Sequence, residues 1–293
     1  MTTQQTVHAF AAYHGFGVSQ VMPEEAEAIA QAVACHRAIE IGYANLPTSL
    51  LEGDMTVGIL WQVFERCTER LYAAIVSLVT NCAAGSEIVS RATIEACATF
   101  RFILLNRNAH LASFLDHHGQ DAERQQRQWR LAAEGLTAEE RADHLAACDY
   151  RRRATDVLGK LTTQINVSLI GTNVAPKWPN IAERFAQIGE AVSYRTVYAR
   201  LCAEPHLDAE ETLRYFLGKV SSSEIFEALS IETLAFSRFM LAEATRWYAG
   251  AAGAYATAYQ MAEAGRVCSA AEQTMHRLAL AFSVASGAVP SAG

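Results

Sequence analysis

Helix-start signals recur along the whole chain, and nothing between them reads as a flexible linker. Pro23 followed by Glu24 and Glu25 suits the first turn of a helix reaching about Tyr43, because a missing N–H costs nothing where no partner exists for it. Thr137 with Glu140 forms a capping-box pattern, and Asn180 with Glu183, Asp208 with Glu211 and Ser221 with Glu224 repeat that spacing. Ser86 and Ser193 read as further starts, and Gly135, Gly189 and Gly218 as stops. Only 6 prolines and 17 glycines occur in 293 residues, alanine is abundant and β-branched alternation is scarce. The expected fold is all-α: a single bundle of about eight to ten long antiparallel helices. Residues 51–293 would form the bundle and residues 1–50 a helical appendage on it.

Between these signals the pattern places a loop at NLPTSLLEGD, an amphipathic helix over 56–82, and a mostly buried helix in EIVSRATIEACATFRFILL. A more polar helix or helix pair follows over 107–134, and the next helix runs from Thr137 through DYRRRATDVLGKL. TTQINVSLIGTNVAPKWPN, 162–179, is rich in turn formers and is expected to be the least regular segment. A long helix is expected from Ser221 to about Ala249 and a C-terminal one over 254–287, with SGAVPSAG frayed.

Several function classes are disfavoured by composition. The formal charge of −7 gives no general attraction to a polyanion, so nucleic acid would need a local basic patch. Two stretches qualify, ERQQRQWR (123–130) and Arg151, Arg152 and Arg153, each beside acidic residues that suit an ordinary solvated face. Seven scattered cysteines with no C-x-x-C pair argue against a disulfide framework or zinc site and suit a reducing cytoplasm. The N-terminal stretch shows no basic region followed by an apolar run and no cleavage-like site, so export is not expected. Glu232, Arg238, Glu243 and Arg246 interrupt the apolar run from Ala228 to Tyr259, which therefore reads as a buried helix and not a membrane span.

The chemistry-bearing residues concentrate in YRTVYARLCAEPH, 194–206. Tyr194, Tyr198 and Cys202, spaced by four, form one inclined ridge on a helix, and a ridge of aromatics is either core or the wall of a site. Pro205 limits that helix, which puts His206 at or just past its end and Arg200 on another side. Upstream, Arg91 and Glu95 at i, i+4 suit an ion pair and would equally serve as partners for the hydroxyls of Tyr194 or Tyr198. Trp178 with Pro179 would anchor the irregular segment.

SRATIEACATFRFIL (90–104) and KWPNIAERFAQIGEAVSYRTVYARLCAEPH (177–206) resemble the bacterial domain of unknown function 5677 over approximately residues 60–230. The matching positions are Arg91 and Glu95, Trp178 and Pro179, Tyr194, Tyr198 and His206, while Cys202 stands where the family usually has Ser. The pair Arg200 and His206 is also similar to the Arg…His signature of the HEPN superfamily, although Leu201 follows the arginine where a polar residue is usual. That second resemblance implies a homodimeric, metal-independent endoribonuclease of defence or toxin type. His206 would act as acid or base on RNA and Arg200 would clamp the phosphate. Two other readings stand beside it. His206 would cap a helix end while Arg200 pairs with Glu204, or the ridge and Trp178 would rim a pocket for a partner protein or small ligand.

No Glu-x-x-His, H-E-x-x-H, G-x-S-x-G or phosphate-binding glycine loop occurs, and Asp116, His117 and His118 diverge around a helix. Neither a cofactor nor a metal is expected.

Overall fold

The computed structural model describes residues 2–13, 23–44, 55–80, 82–198 and 223–286, with the single positions 213, 216 and 220. Among the described residues every regular element is a helix and there is no strand, so the chain is all-α. The expected loop at 45–54, the helix break at Pro205, the starts at Asp208 and Ser221, the stop at Gly218 and the frayed tail lie outside the described residues.

The chain divides into two compact units, residues 1–102 with 181–293 and residues 103–180. In the first, α1 (Thr3–Tyr13) and α2 (Pro23–Ala44) precede α3 (Met55–Val79) and α4 (Ala83–Leu105), whose residues through Phe102 belong here. After residue 180 come α7 (Ile181–Gln187), the short α8 (Ala191–Ser193) continuing as a π turn over Tyr194–Tyr198, α9 (Ser223–Ala258) and α10 (Ala262–Ser286).

α3 forms because Val57, Leu60, Phe64, Cys67, Leu71, Ala74 and Leu78 recur at three- and four-residue steps and bury one face. α9 differs in kind. From Ala235 to Ala249 all its residues but Arg238 are buried, so it is enclosed on all sides and forms the axis of the unit, packed on α2, α3 and α10. Phe64 stacks on Tyr248 of α9 at 5.3 Å and packs on Phe100 of α4 at 5.5 Å, and Tyr255 closes the cluster 5.9 Å from Phe100. Burying each such ring contributes about 1.5–3 kcal/mol before entropy is counted.

Three helix boundaries differ from expectation here, one of them the start of α10, at Ala262 and not at the expected residue 254. α9 continues through Gly250 and Gly253 to Ala258. Those glycines are points of close approach to α10: a Cβ at Gly250 would meet Glu272 Oε1 at 3.0 Å, and one at Gly253 would meet Cys268 Cβ at 3.4 Å. The break comes at Gln260, which has φ 57°, while Met261 N–H donates to Ala256 O and Gln260 N–H to Thr257 O, the pattern of a Schellman end. α4 starts at Ala83, before Ser86; the Ser86 hydroxyl is buried and donates to Ala74 O of α3 at 3.0 Å, so it ties two helices together and caps neither.

In the second unit α5 (Arg107–Ala132) and α6 (Ala138–Ile170) form an αα-hairpin through the 3-10 turn Ala133–Gly135. The capping box is present: Thr137 Oγ1 accepts from Glu140 N–H while the Glu140 carboxylate accepts from Thr137 N–H. α6 extends nine residues beyond the expected irregular start at 162, and within it the Thr163 hydroxyl is accommodated by donating to Gly159 O at 2.9 Å. Gly171, with φ 70°, ends it. The segment 171–180 returns along α5: Ser113 donates to Pro176 O at 2.6 Å, and Trp178 packs on Phe114 and stacks on His117.

Gln260 holds a backbone conformation that costs an L residue about 1–2 kcal/mol and glycine nothing comparable. Gln260→Gly is therefore expected to stabilise the chain by about 0.5–1 kcal/mol after glycine's larger unfolded-state entropy is subtracted, read as a raised urea midpoint at constant m-value.

Candidate functional site

Two places in the first unit gather chemistry-bearing side chains. The first is internal. On α4, Arg91, Glu95 and Thr99 follow at four-residue steps on one face. The Tyr198 hydroxyl donates to Glu95 Oε2 at 2.6 Å, and the Arg91 guanidinium lies 5.2 Å over the Tyr198 ring. Arg184 of α7 donates to Thr99 Oγ1. Burial pulls the Arg184 pKa down, and Glu95 and Tyr198 beside it oppose that pull. Burial and then the bond to Glu95 push the Tyr198 phenol up, against the influence of Arg91. It stays protonated throughout the physiological range.

Phe185 sits at the centre of these groups, 5.6 Å from Tyr194, 5.4 Å from Tyr198 and 5.1 Å from Trp247. Trp247 in turn has Arg101 at 5.1 Å and Arg246 at 5.5 Å over its ring. Arg101 pairs with Glu190 at 3.1 Å, Ser193 donates to the other oxygen of that carboxylate at 2.5 Å, and Arg246 pairs with Glu243 at 3.1 Å. Ser193 therefore does not cap a new helix as expected. It is buried inside α8 and bonded back to Glu190, the residue preceding that helix. Gly189, with φ 81°, allows the chain to reverse between α7 and α8 so that Glu190 faces Arg101.

The structure thus brings Arg91, Glu95, Tyr194 and Tyr198 together, with the two tyrosine rings stacked at 5.6 Å. Trp178 belongs to the other unit, on α5. Arg200, Cys202 and His206 lie outside the described residues. Tyr198 is 4% exposed and Phe185 and Trp247 still less, while Arg91, Glu95 and Tyr194 are half-buried; the buried part of the cluster fixes the π turn.

The second place is open. α1, α2 and α3 enclose a cavity of about 610 Å³. α1 contributes Phe10 and Tyr13, α2 contributes His36, Arg37 and Glu40, and α3 contributes Thr68, Glu69 and Tyr72. The His36 ring is buried, stacked on Tyr248 at 5.8 Å and tilted against Tyr72 at 6.5 Å. Its Nδ1 lies 3.4 Å from Glu40 Oε2, while Nε2 is buried with no hydrogen-bond partner among the described residues. Burial lowers the His36 pKa, Glu40 opposing and Arg37 assisting, which keeps the imidazole neutral near pH 7. Sequence reasoning did not single out His36; the one available signal was its i, i+4 spacing to Glu40, since Tyr72 and Tyr248 reach it only through the fold.

In the second unit the hairpin sets the two basic stretches side by side. Arg151 lies 4.2 Å over Trp129, Arg130 pairs with Asp149, and Arg124 pairs with Asp121. A groove of about 490 Å³ lies between Arg124, Gln125 and Gln128 on α5 and Arg151 and Thr155 on α6.

A family model described as a family of unknown function, DUF5677, matches residues 58–223, more than half of the chain, and the chain belongs to that family. No curated protein and no solved structure matches it. Arg91, Glu95, Arg184, Phe185, Tyr194 and Tyr198 all fall inside the matched span, and α1 and α2 precede it. Among the described residues no helix is long and apolar enough to cross a membrane.

Tyr198→Phe removes the donor to a half-buried carboxylate and is expected to lower unfolding free energy by about 1–3 kcal/mol in urea titration. Tyr194→Phe, with no hydroxyl bond to lose among those described, is expected to stay within about 0.5 kcal/mol of the parent chain.

Proposed function

We propose that this protein is a non-catalytic helical module that binds a small ligand in the cleft between α1, α2 and α3. The observation that carries the reading is the cleft itself: about 610 Å³, within the range of small-molecule sites, with an aromatic lining and a few polar groups converging on it. It differs in place from the pocket expected around Tyr194, Tyr198 and Trp178, where Tyr198 is already committed to Glu95. Ligand-observed NMR with a fragment set tests the reading. Fragments should bind the full chain at one site, and Glu69→Trp, which fills the exposed rim, should abolish that binding with an unchanged circular dichroism spectrum. Undiminished binding to Glu69→Trp would sink the assignment.

A second reading, RNA cleavage in the manner of HEPN ribonucleases, draws support from the meeting of the two basic stretches on the hairpin. There His206 acts as acid or base and Arg200 clamps the phosphate, in a homodimer. It ranks second because the hairpin unit is nearly neutral, ten Lys and Arg against nine Asp and Glu over 103–180, and Asp121 and Asp149 already engage Arg124 and Arg130. If it holds, purified protein in EDTA cuts RNA and His206→Ala loses that cleavage with an unchanged thermal midpoint; absence of any cleavage by the parent chain eliminates it.

A further inference from the structure

In the hairpin unit, we propose that the exposed face of α6 docks an acidic amphipathic helix of a partner protein.

α6 rests on α5 by one side only. Cys148 and Asn166 are buried on that side, and the His144 ring bonds Trp129 O at 2.8 Å. Tyr150, Ala154, Val157 and Leu161 recur at steps of four, three and four, which sets them in one stripe about 150° round the helix from Cys148. All four are exposed, Tyr150 at 78% and Val157 at 66%, with Leu158 beside them at 54%. This spacing is the contact pattern of paired helices, and on a solvent face it does nothing to hold the hairpin together. Ala154 and Leu158 also line the groove of about 490 Å³ along α5, so stripe and groove form one continuous surface.

Charge decides what can cover it. Arg153 and Lys160 run along one border of the stripe, and Arg151 runs along the other, where it lies over Trp129. Over 147–168 the helix carries four cations, Arg151, Arg152, Arg153 and Lys160, against two carboxylates, Asp149 and Asp156. Asp149 is taken by Arg130 of α5, and on the far wall of the groove Asp121 is taken by Arg124. Asp156 lies farther round than Arg153 and Lys160, on the side away from the stripe, and neither cation has an ion pair among the described residues. The borders therefore offer uncompensated positive charge to the carboxylates of a partner.

A second copy of α6 does not supply those carboxylates. Paired antiparallel so that Tyr150 meets Leu161 and Ala154 meets Val157, two copies bring Arg153 of each close to Lys160 of the other. Sliding them until Arg153 meets Asp143 sets Val157 against Glu139 and carries Leu161 past the start of the opposite helix at Ala138. Paired in parallel, the same two cations face Leu158 and Ile165. RNA suits the cations but not the stripe, where only Tyr150 offers a ring for a base to stack on. A helix with an apolar heptad core and carboxylates on both flanks satisfies stripe and borders together.

Fluorescence anisotropy on the full chain tests this with two synthetic helical peptides of about three heptads. Both carry leucine at the core positions, and the flanks are glutamate in one and glutamine in the other. The acidic peptide is expected to bind about tenfold tighter than its glutamine twin, with the difference shrinking as salt is added. Arg153→Glu combined with Lys160→Glu should reverse that preference, and Val157→Asp should abolish binding of both peptides, each with an unchanged circular dichroism spectrum. Equal affinity for the two peptides, binding of neither, or binding undiminished by Val157→Asp overturns the proposal. So does a parent chain that sediments as a dimer and becomes a monomer on Val157→Asp, which assigns the face to a second copy, or a single-stranded RNA that binds there more tightly than the acidic peptide.

Discussion

The first unit depends on one constraint, the near-complete burial of α9 from Ala235 to Ala249. A helix walled in over Ala235–Ala249 has no water for its polar side chains, and it carries Ser237, Glu243, Thr245 and Arg246 in that stretch. Each is answered internally. Ser237 donates to Glu87, Thr245 bonds Leu241 O within its own helix, and Arg246 pairs with Glu243. The ion pair and the Thr245 bond close within α9, whereas the Ser237 hydroxyl holds Glu87 of α4 in place.

Arginine and aromatic side chains carry that requirement outward. Trp247 projects from α9 between the guanidinium groups of Arg101 and Arg246, and Arg101 reaches Glu190 at the turn between α7 and α8. Phe185 then bridges Trp247 to both tyrosines, and Tyr198 ends the chain of contacts on Glu95. A guanidinium suits this place because its planar face stacks on a ring while its edge still donates to a carboxylate, which lysine cannot do. The π turn at Tyr194–Tyr198 is thereby fixed from α4, α7 and α9 at once.

The sequence made legible what depends on local signals. Helix starts at Pro23 and Thr137, the stop near Gly189 and the all-α class all follow from capping and backbone preference, and the structure has them. Arg91, Glu95 and the two tyrosines were legible as a group through spacing and resemblance, and Glu95 does take the Tyr198 proton bond. What was not legible depends on partners far along the chain. The helix expected to end near Ala249 runs on through Gly250 and Gly253, where the missing side chains make room for Glu272 and Cys268. Thr162 and Thr163 read as turn formers because hydroxyls compete with the backbone, and in α6 such a hydroxyl bonds within the helix, as Thr163 does to Gly159. His36 was one histidine among nine, and nothing local says that Tyr72 and Tyr248 will meet it.

The two gatherings of chemistry divide unequally over the family match, and the division bears on where function resides. Of the cleft's walls only α3, with Thr68, Glu69 and Tyr72, falls within residues 58–223; the other two are α1 and α2, which precede them. The internal cluster draws Arg91, Glu95, Arg184 and Tyr198 from the matched span, with Arg184 and Tyr198 buried and Arg91 and Glu95 half-buried. A mostly buried cluster constrains the scaffold, whatever the scaffold is used for, because exchanging Arg184 or Tyr198 strands the group it bonds. An open cleft tolerates exchange at its rim, where Glu40 and Glu69 remain more than half exposed, so its selectivity can change without disturbing the core. The Thr68 hydroxyl, which donates to Tyr248 of α9 at 3.2 Å, ties the cleft floor to the buried helix, so a rigid axis supports the walls that α1 and α2 supply.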